Sequence, residues 1–290
     1  MSIRLTTPGV DDLGQVLGAL RSWQLPGAPV QLHPGDVGWF WRHGPEATAA
    51  ALRVWTAPEG IRAVGLLDGP DLLRVGLRPD AQDDRELAER VVADVSEPAR
   101  GVLPEGEVAV ETPSGALVHD LLGERGWGED EPWAVLRRDL ARPVADPGMP
   151  VETVDAGTAE QWAQVHRLAF GGTVSLEDTL TRWHRCAQGE AWADARCLLL
   201  RDGDGAPVAG IIVWTAGPGR VGVVEPMGVH PEHRGRGHGR AVTLAGEAAL
   251  RDLGAAAAVV ATPLSNTGGV ATYTSAGFER LPDRRDRRRG

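Results

Sequence analysis

Three features in the last third of the chain could do chemistry together: a glycine-rich loop among arginines, a carboxylate on the apolar run before it, and a tyrosine beyond it. The loop is Arg234-Gly-Arg-Gly-His-Gly239. Before it, Val221-Gly-Val-Val-Glu-Pro-Met-Gly-Val229 reads as a strand. After it, Val242, Leu244, Ala245, Ala248, Ala249 and Leu253 recur at helical spacing until Gly254 supplies a stop. A strand that enters, a loop that turns and a helix that leaves aim several backbone N–H groups and the positive end of the helix dipole at one spot, which suits a phosphate or pyrophosphate. Gly235, Gly237 and Gly239 let the backbone approach the anion without a Cβ in the way. Arg234, Arg236 and Arg240 can add charge-assisted contacts. His238 lies in the same loop, and it and His230 read as loop residues rather than catalysts. A P-loop is excluded because the chain contains no lysine, and the position of the loop is not that of a dinucleotide fold.

What the segment resembles is the GNAT superfamily of acyl-CoA N-acyltransferases, whose hallmark [RQ]-x-x-G-x-[GA] is matched by Arg234-Gly-Arg-Gly-His-Gly239 after Val229-His-Pro231. A second family element follows at the expected distance, Asn266 and then Tyr273-Thr-Ser-Ala-Gly-Phe278. The resemblance covers about 130 residues and implies acetyl-CoA as co-substrate, with no metal. It implies that the backbone of Met227, Gly228 and Val229 pairs with the pantetheine arm, that residues 234–240 hold the pyrophosphate, and that Asn266 lies near the cofactor. The fold it implies is a mixed sheet splayed between its fourth and fifth strands.

Acetyl transfer from a thioester to an amine needs a neutral amine, a held carbonyl and a proton for the leaving thiolate. The resemblance implies that Tyr273, the single tyrosine, protonates the CoA sulfur, which suits a phenol; without the resemblance it reads as a core aromatic. Glu225 is the candidate base, and strict strand alternation puts it on one face with Met227 and Val229. Family members often carry the base two residues earlier, where this chain has Val223, so Glu225 would act through a water or else be a structural or substrate-binding carboxylate. His166 and His184, on expected helices, are weaker candidates.

The elements that must position these groups occur twice. Gly76-Leu-Arg-Pro79 matches Gly228-Val-His-Pro231, Val108-Ala-Val-Glu-Thr-Pro113 matches Val259-Val-Ala-Thr-Pro263, and Gly126-Trp127 matches Gly277-Phe278, in the same order and at nearly constant spacing. Such a series indicates tandem homologous domains, at 1–145 and 150–290, joined by a linker in which prolines block helix and internal strand. Each repeat reads strand, helix, helix, several strands, helix, strand, helix, strand, an α+β fold with a mixed sheet. In the second, strands are expected at 151–154, 196–201, 208–215 and 221–229, and helices at 158–170 and 176–188. The first repeat lacks the chemistry. Where the second has its glycine loop, it has Gln82-Asp-Asp-Arg-Glu-Leu87, whose acids repel a pyrophosphate, and Leu122 stands in the place of Tyr273. Its expected role is structural support and one wall of an acceptor pocket, for which Trp23, Trp39, Trp41 and Trp55 are candidate linings, although most should be core.

The net charge is −10, and residues 1–145 hold 14 arginines against 23 acids. That balance disfavours nucleic acid and favours a cationic small molecule, and the resemblance implies a primary amine as the group it offers. A monomer or homodimer is expected. No apolar run is long enough for a membrane span and Met1-Ser-Ile-Arg begins no leader, so the cytoplasm is the expected location. Cys186 and Cys197 read as buried reduced thiols, and the arginine-rich 284–289 as a solvated tail. Rival functions are a silent CoA-binding regulator, which would need no Tyr273, a protein N-acetyltransferase, and an aminoacyl transferase disfavoured by the acidic surface.

Overall fold

The apolar runs all join one sheet. In the computed structural model, which describes residues 3–290 and leaves Met1 and Ser2 of the expected leaderless start outside, the first half runs β1 (Arg4–Thr6), α1 (Leu13–Trp23), α2 (Pro34–Phe40), α3 (Pro45–Ala51), β2 (Leu52–Ala57), β3 (Gly60–Leu67), β4 (Leu72–Leu77), α4 (Arg85–Ser96), β5 (Val108–Glu111), α5 (Leu117–Glu124) and β6 (Gly128–Asp139). The second runs β7 (Val151–Thr153), α6 (Ala159–Ala169), α7 (Leu176–Gln188), β8 (Ala195–Arg201), β9 (Pro207–Trp214), β10 (Val221–Val229), α8 (His238–Asp252), β11 (Ala257–Pro263), α9 (Thr267–Ala276), β12 (Glu279–Arg280) and β13 (Arg284–Arg289). No helix among the described residues is long and apolar enough to cross a membrane.

The strand order is β1-β2-β3-β4-β5-β13-β6-β11-β10-β9-β8-β7, with β12 beside β6. The halves exchange strands. β13 lies between β5 and β6 of the first half, and β6 pairs along the whole of β11, from Ala257 opposite Asp139 to Pro263 opposite Trp133. The arginine-rich end, expected as a solvated tail, is therefore an internal strand. Its arginines meet acceptors from far along the chain: buried Arg284 pairs with Glu111 at 2.9 Å, Arg287 donates to the His119 carbonyl, Arg288 pairs with Glu107, and Arg289 donates to the Pro104 carbonyl. A local run of like charge looks solvated only while those partners are out of view.

Each half has an apolar core, and a third cluster is common to both, packing Leu17, Trp23 and Val37 with Trp162, Trp183 and Trp214. Trp23, Trp41 and Trp55 are buried, whereas Trp39 is half-buried and lines a pocket. Cys186 and Cys197 are buried free thiols, and burial pushes both up. The shared core closes because α2 meets β9 through glycines: a Cβ on Gly35 would stand 2.5 Å from Trp214 Cβ, and one on Gly38 2.5 Å from Trp214 Cζ3. Gly38→Leu overpacks this contact, with an expected loss of about 1–3 kcal/mol read as an earlier urea midpoint at unchanged slope. An unchanged midpoint would show that α2 can move off Trp214 freely.

Candidate active site

The site begins where two strands part. β10 pairs with β11 only from Val221 to Val223, opposite Ala257 to Val259; beyond this the strands separate, as the resemblance implies. A groove of about 710 Å³ opens there, from Met227, Gly228 and Val229 past the glycine loop to Asn266 and Tyr273.

The loop places the start of α8 in this groove. Its N-cap is Gly237, at φ +84° and with no side-chain cap, so the first N–H groups of the helix have no acceptor of their own. Gly235 also has a left-handed φ, +74°, and Gly239 is so close to α9 that a Cβ would stand 2.9 Å from Thr272 Cγ2. Arg234 and Arg240 line the groove and also brace it, donating to the Ala169 and Ser275 carbonyls at 2.9 Å each. Arg236, expected among the anion contacts, is exposed and outside the groove lining. It sits between the two left-handed glycines, on the outer side of the turn. His238 lines the groove, and so does His233, which sequence reading passed over although it directly precedes Arg234; Nδ1 of each is buried without a hydrogen-bond partner among the described residues, that of His233 lying 3.9 Å from Asp202 Oδ2. Asn266 caps α9, accepting from Gly269 N at 3.1 Å and donating to Thr262 Oγ1 at 2.9 Å, which fixes it on the groove rim.

Tyr273 is 7% exposed and lines the same groove, edge to face with Phe278 at 5.8 Å. Among the described residues no protein group pairs with its hydroxyl. Burial, and then the charge of Glu225, push the phenol up, so it holds its proton through the neutral range.

Glu225 does not share a face with Met227 and Val229. The ladder with β9 slips by one residue between Val224 and Met227, and a bulge of this kind inverts the two-residue alternation. The signal was Pro226, since a proline inside a strand marks such a bulge. Trp214 Nε1 donates to the Glu225 carbonyl at 2.7 Å, satisfying the backbone group that the bulge leaves over. Glu225 therefore turns with Val223 into a second cavity, of about 230 Å³, walled by both halves. Here Arg74 pairs with Asp36, Asp68 and Glu111 at 3.2, 3.4 and 3.0 Å, and Arg284 with Glu111 and Asp286 at 2.9 and 3.2 Å. Five carboxylates thus face two guanidiniums, and Glu225 has no ion-pair partner among the described residues. Burial first, then Asp36, raise Glu225 to about 7, and burial raises Asp286 to about 6. His33 is lowered to about 4 by burial and stays neutral, donating from Nε2 to the Val221 carbonyl. Of the weaker base candidates, His184 is exposed and His166 stacks on Trp162, away from Glu225's cavity.

The first half shows what happens to the same geometry without glycines. The N-cap of α4 is Asp84, whose Oδ1 accepts from Leu87 N at 3.1 Å while Oδ2 takes Arg62 at 2.6 Å. A carboxylate of the chain itself caps the helix start that corresponds to that of α8. Leu122 is fully buried in the first-half core.

Residues 160–278 match the acetyltransferase (GNAT) family. The chain is 34% identical over 162 residues to a mycothiol acetyltransferase of Thermobispora bispora, covering 50% of this chain and 52% of that protein. A mycothiol acetyltransferase of Cellulomonas flavigena is 33% identical over 150 residues, 48% of this chain and 42% of that one. The chain thus spans about half the length of the curated relatives it matches. Among solved structures, a tandem GNAT protein from the clavulanic acid biosynthesis pathway superposes with a TM-score of 0.62 at 17% identity, covering 99% of this chain and 97% of that one. A GCN5-related N-acetyltransferase from Sphaerobacter thermophilus does so with 0.57 at 21% identity, covering 99% and 95%. Residues 160–278, with the loop, groove and tyrosine, thus match a GNAT acetyltransferase domain, and the full length has the fold of tandem GNAT proteins.

Proposed function

We propose that the protein is an acyltransferase that moves an acetyl group from acetyl-CoA directly to a primary amine of a small molecule. In this reading residues 150–290 catalyse and residues 1–145 lend a wall to the acceptor cavity. The observation that carries it is the pair of helix starts: α8 opens uncapped into a groove between parted strands, while α4, its counterpart, is plugged by Asp84. Acetyl-CoA supplies an activated acyl group as its thioester. The α8 N–H groups and Arg234 and Arg240 hold the pyrophosphate, the Met227 to Val229 backbone orients the pantetheine, and the Tyr273 hydroxyl hydrogen-bonds to the sulfur and shares its proton.

Glu225 accepts the amine's proton from the neighbouring cavity, directly or through a water. The acidic excess there attracts the amine in its protonated form. The test is thiol release from acetyl-CoA across amines of differing charge. Because a carboxylate raised to about 7 must lose its proton to act as a base, kcat/KM should rise with pH through about 7 and then level, and Glu225→Gln should remove that limb. Cationic acceptors should be preferred, with kcat/KM falling as salt passes roughly 0.15 M, where the Debye length is about 8 Å. A preferred anionic acceptor indifferent to salt would leave the cavity's charge without a role.

A further inference from the structure

A third cavity, of about 80 Å³, lies between α2 of the first half and α6 and α7 of the second, outside both cavities used above. Its body is aromatic. His166 stacks on Trp162 with centroids 4.7 Å apart, meets Trp39 edge-on at 5.4 Å and leans on Phe170 at 4.7 Å. Its rim is cationic. Arg42, Arg167 and Arg182 line it, and no carboxylate does, in a chain whose net charge is −10. Arg42 lies over the Trp39 ring at 4.8 Å, donates to the Trp39 carbonyl, and has one ion pair among the described residues, with Asp68 3.8 Å away. Arg182 has no ion pair or hydrogen bond among the described residues. Burial lowers Arg42 from its ordinary value, and burial holds His166 at about 4 and neutral, so the ring is an apolar wall. Arg167 donates to Gln164 Oε1 and to the Gly172 carbonyl, so Arg182 is the guanidinium left without a partner beside the apolar slot, the setting in which a planar carboxylate gains most from bidentate contact.

We infer that this cavity is a second small-molecule site, which takes the carboxylate of a compact apolar acid between Arg42 and Arg182 and its body against Trp39, Trp162 and His166. Its position says where such an acid would come from. Phe170 lines both this cavity and the cofactor groove, and it packs on β10, where a Cβ on Gly228 would stand 3.1 Å from its Cε2. On the other side, Arg42 reaches through Asp68 to the acidic cavity. The carboxylate therefore belongs either to the far end of the acceptor or to the tail of an acyl group longer than acetyl. That choice rests on the proposed acetyl-transfer reading; the site itself does not.

Calorimetric titration of phenylacetate into the full chain tests the site without turnover. Saturable binding is expected, about tenfold weaker in Arg182→Gln and about tenfold weaker for the uncharged phenylacetamide, as loss of a charge-assisted contact requires. Absence of saturable binding, or equal affinity for acid and amide, would overturn the inference. A folded Arg182→Gln chain, checked by its urea midpoint, that binds phenylacetate as the parent does would also overturn it. Repeating the titration with CoA and with succinyl-CoA separates the sources: displacement by succinyl-CoA alone assigns the carboxylate to the acyl tail, and retention with both assigns it to the acceptor. A failure of CoA itself to bind would count against the acetyl-transfer reading and leave the phenylacetate result standing.

Discussion

Tyr273→Phe is expected to bind acetyl-CoA as tightly as the parent chain and to turn over roughly 10²-fold or more slowly, the scale of a lost general acid. The substitution removes one hydroxyl and keeps the ring that packs on Phe278, so the groove wall survives. The hydroxyl it removes faces the groove without a protein partner, and burial beside Glu225 keeps it protonated. A phenolate is more basic than a thiolate, so the hydroxyl acts by hydrogen-bonding to the sulfur and sharing its proton as charge grows there, while Glu225 takes the amine's proton. Calorimetry with acetyl-CoA and a thiol-release assay read the two halves of the expectation separately. Unchanged turnover would return Tyr273 to packing, and lost affinity would make it a binding residue.

Gly237→Asp should weaken acetyl-CoA binding by about 100-fold, because it recreates in the second half the plug that the first half already has. An aspartate at this N-cap would offer its carboxylate to the N–H groups of α8, as Asp84 offers its own to Leu87, and would set a negative charge where the pyrophosphate belongs. Losing one or two charge-assisted contacts, each about 1.5–3 kcal/mol, accounts for the size. Gly237→Asn separates the causes, since it caps the same groups and meets the same left-handed backbone without the charge; its loss should be nearer tenfold. Titration of the parent should give one acetyl-CoA per chain, unchanged by Asp84→Ala. If Gly237→Asp binds normally, the phosphates are held elsewhere.

The strand–loop–helix form of the loop was legible because it is local: consecutive residues supply the glycines, the strand before and the helix after, and the periodicity of α8 and its stop at Gly254 follow from the same segment. The repeat was legible for a similar reason, since Gly126 and Gly277 both end a helix in the left-handed region and glycine there leaves a mark in sequence. What escaped was set by contacts at long range. The orientation of Glu225 depends on a one-residue slip against β9, at which Pro226 only hints. The aromatic cavity draws Trp39 and Arg42 from one half and Trp162, His166 and Arg182 from the other, and no spacing rule joins positions so far apart.

The exchange of strands also bears on how the chain reaches this fold. Synthesis proceeds from the N-terminus, so β5 and β6 emerge long before β13, the strand that lies between them. Until β13 leaves the ribosome, the first half holds two open edges that could recruit any passing strand. Neither half completes its sheet without the other, so folding is expected to be a late event of the whole chain, and the two halves should melt in a single transition.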